Sequence, residues 1–216
     1  TAATTLGDIA FYIYTSGTTG LPKAAVISNR RYLIGGDMAG TGGLQCKTQD
    51  RIYLCLPLYH ATGLLLGVGA ALATGASMFV RRKFSASNFL NEIRQHQCTH
   101  MIYIGELCRY LVNSEAKIDD ANTPLRSIMG NGLRPDIWMD FKQRYGISRI
   151  CEFYGASEGN VAFANLMNKD LTVGMTSAEV CLVQYDVDND EIVRDNQGFC
   201  IPVMKGEAGL LLGKIT

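Results

Sequence analysis

The sequence predicts an α/β fold: a layered, mostly parallel sheet with helices on both faces, followed by a smaller β-rich region. Three observations lead there. Apolar, β-rich runs alternate with helix-like runs from Ile9 to Gly155. Glycine- and hydroxyl-bearing stretches follow several of those β-rich runs. After about Val161 the helical pattern stops and acidic turns separate short apolar runs. Strand–helix repetition of this kind implies right-handed crossovers and a parallel sheet covered by helices.

The elements follow in order. "IAFYIYTS" reads as a strand leading into a glycine-rich loop, and Arg30 to about Met38 as a helix. "DRIYLCLPL" is a strand ending at Pro57, Gly63 to Ala73 a helix, and "SMFVRR" a strand. "SASNFLNEIRQHQ" carries Phe89, Leu90 and Ile93 on one helical face, with Ser85 or Ser87 as the expected N-cap. "CTHMIYIG" and "LRSIMGNG" are strands, and "ELCRYLVNS" between them is a helix. "RPDIWMDFKQRYG" is a helix with Pro135 in its first turn and Gly146 at its end, and "ISRICEFYG" is the next strand. The expected division is an α/β core over 1–160 and a β-rich segment over 161–216. Asp186, Asp188 and Asp190 imitate a calcium loop, but Glu191 and Gln197 stand where such a loop needs glycine and glutamate. A hairpin turn is the expectation there.

Composition narrows the function. Twenty basic and twenty acidic residues cancel, which argues against nucleic-acid binding. The seven cysteines are odd in number and no two have CxxC spacing. Most lie in apolar runs, so reduced buried thiols in a cytosolic setting are expected. Gly63 to Val80 is uncharged over 18 residues, the lower limit for a membrane span. Gly75 interrupts it, and a buried helix followed by a core strand accounts for it better. The chain starts at Thr1 in a strand-like run and stops in another, "GLLLGKIT", so it reads as a piece of a longer protein.

Three motifs carry chemistry. In "YTSGTTGLPK", Gly17 and Gly20 free backbone N–H groups and Thr15, Ser16, Thr18 and Thr19 add hydroxyls around phosphate oxygens. Lys23 adds a point charge. The lysine follows Pro22, so the better-known phosphate-loop ending is absent. In "MGNGLRP", two glycines flank Asn131 at a strand end, as a backbone passing close to a flat ring or an ordinary tight turn requires. In "EFYGASEGN", Tyr154 is placed to cover a base, Ser157 to bond a phosphate and Glu158 to hold Mg²⁺.

Together these stretches resemble the adenylate-forming enzymes: acyl-CoA synthetases, luciferases and peptide-synthetase adenylation domains. "YTSGTTGLPK" is similar to their phosphate loop and "YGASE" to their second motif, where threonine is commoner than Ser157. "YIGELCRYL", "GNGLRPDIW", "EFYGASEGNVA", "RDNQGFCIPV" and "GEAGLLLGKI" look most like the fatty acid transport protein or very-long-chain acyl-CoA synthetase group. The likeness covers nearly the whole chain, and implies a piece of the large N-terminal domain of such an enzyme.

The resemblance implies a two-step reaction using ATP, Mg²⁺ and CoA: a fatty carboxylate is adenylated, then passed to the CoA thiol. It places Thr15, Ser16, Gly17, Thr18, Thr19, Gly20 and Lys23 on the β- and γ-phosphates and Ser157 on the α-phosphate. Asn131, Gly132, Leu133, Tyr154 and Gly155 would line the adenine pocket, and Glu158 would hold Mg²⁺. His60, in "LPLYHATGL", matches a position beside the reacting carboxylate, although a lone histidine in an apolar run is as often packed core. Lys23, His60 and Glu158 are therefore the catalytic candidates. Gly67 and Gly69 suit an acyl tunnel or a core equally. The triple Arg81-Arg82-Lys83 suggests a solvated strand end, with peripheral membrane contact as the other reading. The expected location is the cytoplasm or the cytosolic face of a membrane; oligomeric state is open. The resemblance also implies a ribose-binding aspartate and a domain carrying a catalytic lysine beyond Thr216, so the chain alone is expected to turn over slowly. A fatty-acid transport or binding module with little catalysis, and an adenylating ligase for another carboxylate such as a carnitine-type acid, or one that passes the acyl group to a carrier protein, are the alternatives.

Overall fold

The computed structural model describes residues 3–15, 22–156 and 161–215. Its centre is a six-stranded sheet built from β3 (Arg51–Leu54), β4 (Ser77–Val80), β5 (His100–Ile104), β6 (Ser127–Asn131), β7 (Arg149–Gly155) and β8 (Ala162–Ala164). The spatial order is β4-β3-β5-β6-β7-β8. All neighbours are parallel except β8, which pairs antiparallel with β7 at the edge. The parallel strands therefore end on one side, where loops after β3, β5, β6 and β7 gather.

Alternation along each strand sends neighbours to opposite faces. Tyr53 packs edge-on against Phe89 of α3 (Phe89–Gln95), with ring centroids 5.4 Å apart, and donates to Glu92 at 2.9 Å. Its neighbour Leu54 faces Gly67 on the other side. The Tyr53 face is covered by α3, α4 (Gly105–Val112) and α5 (Pro135–Arg144), with the Tyr145 hydroxyl donating to the Leu111 carbonyl at 2.9 Å. The opposite face is covered by α1 (Asn29–Asp37) and α2 (Gly69–Thr74) with two π-helical segments, Met38–Leu44 and Thr62–Val68. Both layers and the mostly parallel sheet are thus present.

Two expectations need correction, and a third point left open is decided. The first strand, β1 (Ile9–Thr15), does not join the parallel sheet. It pairs antiparallel with β2 (Lys23–Ser28), a strand the sequence reading missed, in a two-stranded ribbon. "KAAVIS" was assigned to no element, yet Ala25 and Ile27 are buried on the ribbon's inner face. Second, α3 is not capped by Ser85 or Ser87. Its N-cap is Asn88, and the two serine hydroxyls lie 3.1 Å from each other in the preceding turn. Third, Gly67 and Gly69 are packing residues. A Cβ on Gly67 would lie 2.7 Å from the Leu54 side chain, and one on Gly69 2.9 Å from the Gly36 Cα.

The uncharged stretch from Gly63 is the second π segment, α2 and β4, with Gly75 ending α2 in the left-handed region (φ 71°). Among the described residues no helix is long and apolar enough to cross a membrane. Beyond β8, β9 (Val180–Val183) pairs with β12 (Leu210–Gly213), and β10 (Tyr185–Asp186) with β11 (Glu191–Ile192). The acidic trio forms the β10–β11 turn, where Asp186 accepts from the Asp188 and Asn189 amides. Five cysteines are buried, Cys200 is half-buried and Cys181 is exposed.

Candidate active site

Two cavities open where the parallel strands end. One, of about 540 Å³, lies between the ends of β6 and β7 and the start of α5. Asn131, Gly132, Leu133, Tyr154 and Gly155 all line it. The structure therefore brings together the five residues expected around adenine. Tyr154 presents a half-exposed ring, set edge-on to Phe163 of β8 at 6.2 Å. The far wall is Leu171–Val173. That segment is anchored by Asp170, which accepts from Trp138 Nε1 at 3.0 Å and Lys142 Nζ at 2.6 Å on α5. The lysine beside it holds the Asp170 carboxyl below its ordinary range.

The second cavity, of about 480 Å³, lies on the opposite face beneath α1 and the second π segment. Ile34, Met38, Leu65 and Leu66 make most of it apolar, with Arg30 and Arg31 also on its lining. Asn131, Phe153 and Gly155 belong to both cavities. Alternation along β7 explains this: Glu152 and Tyr154 point to the first cavity's face, and Phe153 between them to the second's.

His60 is exposed rather than packed in the core, its ring 4.8 Å from that of Tyr59. Its carbonyl accepts from Leu64 at 3.0 Å at the entry to the second π segment, next to the cavity residues Ala61 and Thr62. Thr15 and Lys23 are opposite each other at the end of the β1–β2 ribbon, the Thr15 hydroxyl donating to the Lys23 carbonyl at 3.3 Å. Ser16, Gly17, Thr18, Thr19, Gly20, Ser157 and Glu158 lie outside the described residues. The phosphate and Mg²⁺ assignments made on them rest on sequence.

Sequence reading missed Glu152, Phe153 and the Leu171–Val173 wall. Glu152 carried a signal: a carboxylate inside "RICEFYG", an otherwise core-like strand, has to be paired. It is buried. Its carboxylate accepts from the Tyr103 hydroxyl and the Gly132 amide, and from the Leu133 amide at 3.1 Å. Burial pushes its pKa up, while these three donors act against that.

Among the described residues, Cys46, Asp50 and His100 form a buried group with metal-like spacing. Its atoms have internal partners. Asp50 binds Arg126 at 2.5 Å and the Lys47 amide at 2.8 Å, and His100 Nδ1 is 2.8 Å from the Thr99 hydroxyl. We read the group as a structural knot at the bottom of the sheet.

The family described as AMP-binding enzyme matches residues 1–203. A medium/long-chain-fatty-acid–CoA ligase, FadD6 of Mycobacterium tuberculosis, is 46% identical over 97% of this chain and 35% of its own length. Long-chain fatty acid transport protein 2 of Rattus norvegicus is 45% identical over 96% of the chain and 34% of its own length. The chain thus spans about a third of these relatives. In the fold comparison, ATP-bound MatB of Rhodopseudomonas palustris superposes with a TM-score of 0.76 at 21% identity, over 99% of this chain and 41% of that one. These matches agree with the motif resemblance, and the chain belongs to the AMP-binding, adenylate-forming enzyme family.

Proposed function

We propose that this chain is the ATP-facing core of a fatty acid–CoA ligase. The observation that carries the reading is the shared wall. A cavity with a half-exposed tyrosine and a glycine-rich turn meets a mostly apolar cavity at Asn131, Phe153 and Gly155. Adenine in the first and an acyl chain in the second would bring an α-phosphate and a carboxylate together at that seam. Two anions repel there, so the reaction needs positive charge and positioning. Lys23, loop amides of Ser16 to Gly20 and Mg²⁺ held by Glu158 would supply it at the phosphates. Arg30 and Arg31 would favour a carboxylate head in the apolar cavity. CoA would then displace AMP from the acyl-adenylate. The names of the relatives, a fatty-acid–CoA ligase and fatty acid transport proteins, support the acyl class. Transport by trapping fits the same chemistry.

ATP–pyrophosphate exchange, scanned over fatty acids of increasing chain length, tests this. Exchange should depend on the fatty acid, and Glu158→Ala should abolish it while the fold persists by circular dichroism. Absence of exchange with every fatty acid, in this chain and in a protein carrying it at full family length, would sink the reading. Normal exchange in Glu158→Ala would remove Glu158 from it.

A further inference from the structure

The Asn131–Leu133 turn is held in an unusual way. Gly132 adopts φ +80°, a conformation costly for other residues. Its carbonyl lies so close to Gly105, the first residue of α4, that a Cβ there would collide with it. Its amide and that of Leu133 both end on one oxygen of Glu152, a residue of the neighbouring strand β7 and not of the turn itself. The other oxygen takes the Tyr103 hydroxyl. Register explains the reach: Tyr103, Gly130 and Glu152 lie side by side in one row across β5, β6 and β7. The middle member has to be glycine. A Cβ on Gly130 would come within 2.6 Å of the Tyr103 ring, which crosses above it to meet the carboxylate.

An ionised carboxylate only accepts hydrogen bonds, so three donors converge on it with no competing donor of its own. The turn's amides gain a charge-assisted partner that no neighbouring backbone carbonyl provides. We infer that Glu152 is a positioning residue: through the Tyr103–Gly130–Glu152 row it fixes the turn that lines the first cavity, and so sets that cavity's shape for a flat heterocycle. This rests on the proposal that the cavity takes adenine, and the test separates the two.

The measurements are amide hydrogen exchange of Gly132 and Leu133, and equilibrium dialysis of ATP and of inorganic tripolyphosphate, on the full chain. Glu152→Ala should speed exchange at both amides about tenfold, the scale of losing a bond to a charged group. Glu152→Asp, shorter by one bond of about 1.5 Å, should do the same. Glu152→Gln keeps the acceptor for both amides and should stay within about threefold of the parent. ATP affinity should follow the same order, about tenfold weaker in Ala and Asp, while tripolyphosphate affinity stays unchanged in all three. Unchanged exchange in Glu152→Ala overturns the inference, as does faster exchange with unaltered ATP affinity, or a Gln variant no better than Ala. If the Ala and Asp variants fail to fold, Tyr103→Phe decides: it removes one tether and should speed exchange a few-fold, and parent-like exchange overturns the row. A parent chain that binds no ATP defeats the adenine reading, and the exchange results still decide whether Glu152 holds the turn.

Discussion

His100 shows how one residue ties the lower edge of the sheet to pH. Its ring is buried beside Asp50, and desolvation lowers its pKa to about 4, against the pull of the Asp50 charge. The ordinary value is about 6.5. Between those values the unfolded chain binds a proton that the folded chain refuses. The stability this group contributes is therefore present above about pH 6.5 and is lost as pH falls toward 4. The loss is roughly 3 kcal/mol if the unfolded value is ordinary. Thermal melts of the parent chain should decline through that window, and those of His100→Asn should decline less; parallel curves would exclude His100 as the source. Glu152 has the opposite sign. Its raised pKa makes the fold lose this group's contribution as pH rises through the folded value. Of the two, only Glu152 carried a signal in the sequence, as a carboxylate inside a core-like strand. His100 sits in a strand with no motif around it, and its proton affinity depends on Asp50, fifty positions away.

At the level of elements, the helices on the apolar-cavity face owe their closeness to missing side chains. Gly36 of α1 and Gly69 of α2 touch backbone to backbone, and a Cβ on Gly36 would sit 2.7 Å from the Gly69 carbonyl group. Gly36→Ala should push α1 outward and lower stability by about 1–3 kcal/mol, as overpacking does. Denaturant titration measures it, and a change below about 0.5 kcal/mol would show that the helices part freely. Since α1 and the second π segment roof the second cavity, the proposed acyl site predicts that this variant alters acyl selection more than ATP affinity. The alternation of strands and helices from β3 to β7 was readable because each element has its own apolar period and flanking breakers. The β1–β2 pairing was not. A six-residue strand beginning at Lys23 has too little pattern to separate from a loop. The second π segment was read simply as helix, and the first lies beyond the helix expected to end at about Met38.

For the whole molecule, the motifs located the site better than they described it. "GNGLRP" and "EFYG" begin 22 residues apart in sequence, at Gly130 and Glu152, and parallel pairing of β6 with β7 puts those two residues side by side and makes the motifs adjacent walls. That adjacency follows from the fold class alone. The far wall at Leu171–Val173 follows from an ion pair between Asp170 and Lys142, which no spacing rule anticipates. The apolar cavity likewise needs α1, the second π segment and β7 to be placed together before it exists.

The distribution of thiols turns the sheet into its own clock. Cys55, Cys98 and Cys151 flank or lie within β3, β5 and β7, Cys108 is in α4 and Cys46 follows the first π segment. Burial raises the pKa of Cys55 to about 12 and those of Cys46, Cys98 and Cys151 to about 11, so little thiolate is present at neutral pH. A disulfide reagent should consume Cys181 at once and Cys200 soon after. The five buried thiols should then react together, at a rate set by opening of the sheet and not by reagent concentration. A staggered, reagent-dependent release would instead divide the sheet into parts that open separately. Either way, each buried cysteine is a timestamp on the strand or helix that hides it, and one shared time would mark an opening of the whole sheet at once.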